Sequence, residues 1–98
     1  MRFELLYTPE ARAQIETLEK DSAKARIWKA VRKTLGLMET GLRHPSLHTH
    51  KHSVLRGAGS EEVFEAYAQN RTPGAFRVFW HYGPGKGRIT IVSVTPHP

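Results

Sequence analysis

The sequence predicts a single α+β domain, in which two helices pack on one face of a mainly antiparallel sheet. Its 98 residues suffice for one hydrophobic core but not for two. Helical spacing of apolar residues is confined to the part before Gly41, and the remainder alternates between apolar and polar residues with glycine turns. We therefore expect one strand, a helical hairpin and a meander of three or four strands, whose second face is open to solvent.

The N-terminal elements follow from local signals. The run 3–7 is short and apolar, which is typical of a strand. Thr8, Pro9 and Glu10 then combine a hydroxyl N-cap, a proline at the first helical position and an early acid, so a helix begins here. Its apolar stripe ends near Lys20.

The second helix completes an antiparallel hairpin. Asp21 or Ser22 caps its start, and Gly41 marks its end. The segment 42–52 contains Pro, Ser, Thr and His without periodicity, which predicts a loop. A short strand at 53–56 follows this loop.

Three further strands are predicted at 63–69, 76–82 and 88–94. Turns rich in Gly, Pro or Asn separate them, and the segment 95–98 has the composition of a short tail.

Alternation in the two central strands sorts their side chains between the two faces of the sheet. Those predicted to face the helices are Phe64, Ala66, Ala68, Phe76, Val78, Trp80 and Tyr82. Those predicted on the open face are Glu65, Tyr67, Arg77, Phe79 and His81. One interpretation is that these residues are ordinary solvent-exposed positions, because the open face of a sheet commonly carries polar residues that have no functional role. The other is that an acid, a phenol, a guanidinium and an imidazole meet at one site.

Arg77 is the most informative residue of this set. A guanidinium on a strand between apolar neighbours is held in place, and it offers a planar fork to a phosphate. A cross-strand ion pair with Glu65 is the structural alternative, and the two roles are compatible. Tyr67 and Phe79 lie among basic residues, which suits either stacking on unpaired bases or core packing.

The histidines allow several roles. His48, His50 and His52 alternate, as zinc ligands sometimes do, but no carboxylate or thiolate stands beside them. A basic loop that attracts phosphate is therefore favoured over a metal site. His97, taken alone, is typical of a flexible tail.

Composition limits the partners and the compartment. Fifteen Lys and Arg against nine Asp and Glu give a net charge of +6, and the sequence pI is about 10.1. This charge favours an anionic partner such as nucleic acid or an acidic protein. The sequence has no cysteine, no apolar run of membrane length and no signal-peptide pattern at its start. We expect a soluble cytoplasmic protein with no membrane partner.

Several stretches resemble the RelE/ParE superfamily of toxins from type II toxin–antitoxin systems, with the resemblance spanning the whole chain. They are Tyr7-Thr8-Pro9-Glu10-Ala11, Leu55-Arg56-Gly57, Val63-Phe64-Glu65-Ala66-Tyr67, Gly74-Ala75-Phe76-Arg77-Val78-Phe79-Trp80 and a β-branched closing strand followed by His97. The resemblance implies a single RelE-like domain over residues 1–98.

The resemblance also implies an activity, namely cleavage of messenger RNA on the ribosome without metal or cofactor. Arg77 would stabilise the transition state, and His97 would be the acid or base with Glu65, His50 or His52 as its counterpart. The remaining residues expected to bind RNA are Lys51, Arg56, Tyr67, His81, Lys86 and Arg88. The chain departs from lysine-rich members of the family on the strand of Glu65 and Tyr67, and it has Pro98 where some members have an aromatic residue.

The resemblance further implies inhibition of translation and an antitoxin partner that presents an acidic, extended or helical segment. Two alternatives stay open. One is a toxin of the ParE branch, which acts on DNA gyrase and is not a nuclease, and the other is a basic RNA-binding module without catalysis.

Overall fold

The computed structural model describes residues 2–97, and it has two helices and five strands. In chain order these are β1 (Glu4–Tyr7), α1 (Pro9–Lys20), α2 (Ala25–Thr40), β2 (His50–Arg56), β3 (Glu62–Tyr67), β4 (Phe76–Tyr82) and β5 (Arg88–Pro96). Two 3₁₀ turns, Ser22–Lys24 and Pro45–Leu47, precede α2 and β2. The predicted α+β class and the order of elements are confirmed. None of the helices within 2–97 has the length and apolar character needed to cross a membrane.

The five strands form one mixed sheet in the order β1-β5-β4-β3-β2. The meander β2 to β5 is antiparallel, as predicted, and β1 joins it by pairing in parallel with β5. Between β3 and β4, Tyr67 pairs with Arg77 and Glu65 with Phe79. The register therefore places the predicted site residues side by side on one face.

Both helices cover the other face of the sheet. Thr8 caps α1, because its hydroxyl accepts a hydrogen bond from the backbone N–H of Ala11 at 3.0 Å. The same hydroxyl donates to the carbonyl of Val92 at 2.7 Å, which fixes the start of α1 against β5. Residues from α1, α2 and the sheet share one core, whose fully buried members include Val31, Met38, Val78, Trp80, Ile89 and Ile91.

Three predicted boundaries are wrong. Asp21 caps the 3₁₀ turn through Ala23, and α2 itself begins only at Ala25 without a side-chain cap. The segment 42–52 is not one loop, because a 3₁₀ turn buries Leu47 and β2 already begins at His50. Burial of an isolated apolar side chain leaves no periodic signal in the sequence, so this turn is invisible to pattern analysis.

The predicted tail is also wrong for the residues that the structure describes. β5 continues to Pro96, and the backbone N–H of His97 donates to the carbonyl of Ala75 at 2.7 Å. Pairing with β4 thus orders the chain through His97, whereas Pro98 lies outside the described residues.

Two irregularities in the ladders shape the sheet. Opposite β4, Phe79 pairs with Ser93 but Trp80 pairs with Ile91, so Val92 is an extra residue in β5. The pairing of β2 with β3 also shifts, between Lys51 and Arg56. Because β2 has more residues than β3 between these two pairs, it bends away from β3 over this stretch.

Trp80 is the largest side chain that is fully buried, and it stacks on Phe64 with ring centroids 4.9 Å apart. We expect Trp80→Ala to lower the free energy of unfolding by about 3–5 kcal/mol, because it leaves a cavity between sheet and helices. Val54→Ala, at a side chain that is 77% exposed, is the control and should change stability by less than about 0.5 kcal/mol. Urea denaturation followed by circular dichroism measures both. Equal effects of the two substitutions would contradict this packing.

Candidate functional site

A concavity of about 360 Å³ lies on the sheet face opposite the helices. Its floor is made by β3, β4 and β5, and its walls by the bowed part of β2 and the end of β5. The lining residues are His52, Leu55, Glu65, Phe79, Ser93, Thr95, Pro96 and His97. The structure thus brings together two residues predicted to be catalytic, Glu65 and His97, in one recess.

Arg77 lies beside this recess and contacts Glu65. Its Nε is 3.2 Å from Glu65 Oε2, and both side chains are 8% exposed. The Nε–H is nevertheless poorly aligned with that oxygen, since it has no partner with hydrogen-bond geometry. Arg77 Nη1 donates to the carbonyl of Gln69 at 2.6 Å, and the Tyr67 ring centroid lies 3.7 Å from the guanidinium carbon. The guanidinium is therefore held by a carboxylate, a carbonyl and an aromatic face.

His50 completes the surroundings of Glu65. Its Nε2 lies 3.1 Å from Glu65 Oε1, and its Nδ1 lies 2.7 Å from the carbonyl oxygen of His48. Both neighbours are acceptors, so only the doubly protonated imidazolium can donate to both. Glu65 therefore contacts His50 through one carboxylate oxygen and Arg77 through the other.

His52 has a different hydrogen-bonding state. Its Nδ1 accepts hydrogen bonds from the backbone N–H groups of Val54 and Leu55, at 3.2 and 3.1 Å, so in this geometry the ring proton is on Nε2. The His52 ring meets Phe79 edge-on, with centroids 5.7 Å apart. These contacts place a neutral N–H donor on the wall of the recess.

The prediction of an open sheet face is wrong. Glu65, Arg77, Phe79 and His81 are between 6% and 8% exposed. The bowed strand β2 and the end of β5 rise on either side of this face and form a recess instead of a flat surface. A strand that bends over its neighbours depends on long-range pairing, which the local alternation of β3 and β4 does not encode.

The other residues predicted to bind RNA are spread over the molecule. Lys51 is exposed and pairs with Glu62 at 3.0 Å. Arg88 pairs with Glu4 at 3.0 Å, and Lys86 is exposed in the turn before it. Arg88 begins β5 and Lys86 precedes it, so both lie roughly 26 Å or more along the strand from Pro96 at its end. The structure therefore does not place them at the recess.

His81 and Arg56 belong to a separate pocket beside the recess, where they line its wall together with Glu61. His81 Nδ1 lies 2.8 Å from the carbonyl oxygen of Tyr82, so it carries a proton. The backbone N–H groups of Glu61 itself and of Gly59 hold the pKa of Glu61 below its ordinary value, and His81 lowers it further. This carboxylate orders the turn between β2 and β3.

The sequence patterns did not indicate five recess or contact residues. Ser93 and Thr95 line the recess, Leu55 and Pro96 form part of its wall, and Gln69 supplies the carbonyl that holds Arg77. A break in the alternation of Ile89-Thr90-Ile91-Val92-Ser93-Val94 could have indicated the positions of Ser93 and Thr95. Two adjacent apolar residues there interrupt the alternation, as expected at a bulge. Within residues 2–97, no group of three or more His, Asp or Glu side chains is arranged to hold a metal ion.

Comparison with solved structures shows which fold this is. The chain superimposes on a YoeB/ParE toxin from Agrobacterium tumefaciens with a TM-score of 0.70 and 10% identity, over 98% of this chain and all of the other. The fold is that of the RelE/YoeB/ParE toxins.

Two more structures agree with this fold. The RelE–RelB complex from the archaeon Pyrococcus horikoshii OT3 gives a TM-score of 0.64 at 13% identity, with 98% of this chain and 96% of the other covered. The YoeB dimer from Staphylococcus aureus gives 0.63 at 14% identity over both full chains. No protein-family model and no curated protein matches the sequence. The likeness is therefore one of structure at low sequence identity.

The buried contact between Glu65 and Arg77 should be energetically coupled. In a double-mutant cycle of Glu65→Gln and Arg77→Met, we expect a coupling free energy of about 1–3 kcal/mol, because neither charge is well solvated. The matched control is the exposed pair of Lys51 and Glu62, with side chains 51% and 55% exposed, whose coupling should stay below about 1 kcal/mol. Urea denaturation of each single and double variant gives both values. Coupling at the buried pair no larger than at the exposed pair would contradict the geometry.

Proposed function

We propose that this chain is the toxin of a type II toxin–antitoxin system, and that it cleaves messenger RNA without a metal ion. One observation carries the proposal: a carboxylate and an imidazole, Glu65 and His97, line the same recess, and the Arg77 guanidinium touches that carboxylate. These three groups are the minimum needed to move two protons and to stabilise a charged phosphate. The toxin fold supports the same conclusion.

The proposed reaction is transfer of a phosphate within the RNA. A base takes the proton from a ribose 2′-hydroxyl, and the 2′-oxygen attacks the adjacent phosphorus. The bond to the 5′-oxygen breaks, and an acid protonates this leaving oxygen. The products are a 2′,3′-cyclic phosphate and a 5′-hydroxyl, so no water or cofactor is consumed.

Arg77 is suited to the charged phosphorane. Its Nε–H is buried and lacks an aligned acceptor, as does the Nε1–H of Trp80 in the core. A phosphate oxygen would satisfy the Arg77 Nε–H more fully than Glu65 Oε2 does. Because the Tyr67 ring covers the guanidinium at 3.7 Å, a substrate must displace Tyr67 or Glu65 to reach it.

Glu65 and His97 divide the proton transfers between them. Glu65 contacts both His50 and Arg77, and we assign it the role of the base that takes the 2′-hydroxyl proton. His97 is exposed at the rim of the recess, and we assign it the protonation of the leaving oxygen. His52 presents its Nε2–H from the opposite wall as a hydrogen-bond donor to RNA.

We also propose that an antitoxin with an acidic segment neutralises this chain. The net charge of +6 favours such a partner, and association should weaken with added salt. One of the structural neighbours is a toxin in complex with RelB, which supports a partner of this kind. Messenger RNA in the ribosome is the proposed substrate, and inhibited translation in the cytoplasm is the proposed consequence.

His97→Gln should lower the rate of RNA cleavage by about 10²–10⁴-fold, because glutamine keeps a hydrogen-bonding side chain but cannot transfer a proton. The fold should be unaffected, since only the backbone of His97 contacts Ala75 within the described residues. The assay adds purified chain to ribosomes translating a reporter mRNA and maps new 5′ ends by primer extension. A rate within a factor of two of the wild type, at unchanged thermal stability, would exclude His97 from the reaction.

Arg77→Lys should reduce cleavage by about 10²-fold or more in the same assay, because an ammonium keeps the charge but not the planar fork. Arg26→Lys, at an exposed position of α2, is the matched control and should cleave as the wild type does. Full activity of Arg77→Lys would contradict the proposed role of the guanidinium.

The nature of the product separates the proposal from its main alternative. RNA fragments ending in 2′,3′-cyclic phosphate support the nuclease. Intact mRNA together with trapped gyrase–DNA breaks would instead indicate a toxin acting on gyrase, as expected for the ParE branch. RNA binding without either product would indicate the non-catalytic module.

A further inference from the structure

A second polar recess, of about 400 Å³, lies beside the 3₁₀ turn Pro45–Leu47 and is distinct from the site just described. Its lining residues are Leu42, Arg43, His44, Pro45, His48, Thr49 and Tyr82. None of them is a carboxylate. We call the polar and aromatic part of it, Arg43, His44, His48 and Tyr82, the basic–aromatic patch.

Tyr82 is the aromatic member of the patch, and it is both exposed and fixed. It is 53% exposed, although it lies two residues after the buried Trp80 in β4 and therefore on the same face of the strand. The ring packs against Trp80, Phe64 and Phe3, with centroids 5.0, 5.4 and 6.4 Å away. A half-exposed ring that three neighbours hold in place loses little entropy when a flat ligand stacks on it.

Arg43 and His44 supply positive charge and hydrogen-bond donors beside this ring. Arg43 is exposed and forms no ion pair within residues 2–97. His44 Nδ1 accepts the backbone N–H of Ser46 at 3.2 Å, so the ring proton is on the exposed Nε2. On the neighbouring strand, Glu62 is neutralised by Lys51 at 3.0 Å. The patch is therefore electropositive and carries N–H donors suited to phosphate oxygens.

His48 connects the patch to the recess on the other face of the sheet. It lines the patch, and its ring centroid is 4.9 Å from that of Tyr67, the residue that covers Arg77. His48 has a positive φ of 48°, which turns the chain sharply at this point. A flexible polyanion can therefore pass from the patch to the proposed cleavage site by following His48 around the sheet.

We propose that the basic–aromatic patch binds a single-stranded segment of RNA next to the segment that is cleaved. An unpaired base stacks on Tyr82, and the phosphates beside it bind Arg43 and the His44 Nε2–H. This inference rests on the proposed function in taking RNA as the ligand. Stacking favours RNA over an acidic protein segment, because a protein carboxylate would use the charges of the patch but not the exposed ring.

The test measures binding separately from cleavage. The probe is a short, fluorescently labelled RNA with 2′-O-methyl groups throughout, which cannot be cleaved because it has no 2′-hydroxyl. Tyr82→Leu should weaken its binding about ten-fold, and Tyr82→Phe, which keeps the ring, should restore it. Arg43→Gln should weaken binding and reduce the slope of log K against log salt concentration by about one. Arg26→Gln is the matched control for loss of one exposed charge.

Each outcome decides the question. Equal losses for Arg43→Gln and Arg26→Gln, or wild-type affinity of Tyr82→Leu at wild-type thermal stability, would overturn the proposal. The proposal would also be overturned if the Tyr82 and Arg43 variants bound a synthetic oligoglutamate peptide more weakly but bound the RNA probe as the wild type does. The patch would then bind protein. If the wild type cleaves no RNA but the Tyr82 and Arg43 variants still bind the probe more weakly than the wild type, the nuclease proposal fails. The proposal that the patch binds RNA would then stand.

Discussion

One extra residue in β5 decides which face of the sheet the end of the chain reaches. Ile89 and Ile91 face the helices, and continued alternation would direct the side chains at 93, 95 and 97 into the core as well. The bulge at Val92 reverses the phase, so that Val94 faces the core instead. His97 thereby comes to the face that carries Arg77, so its presence in the recess with Glu65 depends on this reversal.

The second constraint is electrostatic. A guanidinium and a carboxylate that are each 8% exposed are costly to bury, and this cost is met by surrounding contacts. Gln69 contributes a carbonyl, Tyr67 a ring and His50 an imidazole. Under the proposed function, a phosphate that enters the recess competes with Glu65 for Arg77.

The sequence predicted those parts of the structure that depend on neighbours in the chain. The cap at Thr8, the stop at Gly41 and the sorting of Glu65 and Arg77 onto one face are confirmed because local geometry alone determines them. The burial of Arg77, the bowing of β2 over Phe79 and the ordering of His97 by Ala75 depend on pairing between distant strands. Roles assigned through the family resemblance remain predictions, because a fold shared at 10–14% identity does not carry side-chain chemistry with it.

The basic side chains that attract anions lie apart from the recess that contains Glu65 and His97. Arg88 is held by Glu4 and lies far along β5 from the recess, whereas Arg43 is exposed beside Tyr82. Such charges draw in any polyanion and carry little information about its sequence. Under the proposed function, the proton transfers take place in the recess, where Glu65 and His97 lie. Under the proposed function, cleavage is limited to a flexible phosphodiester that can reach between Glu65 and His97.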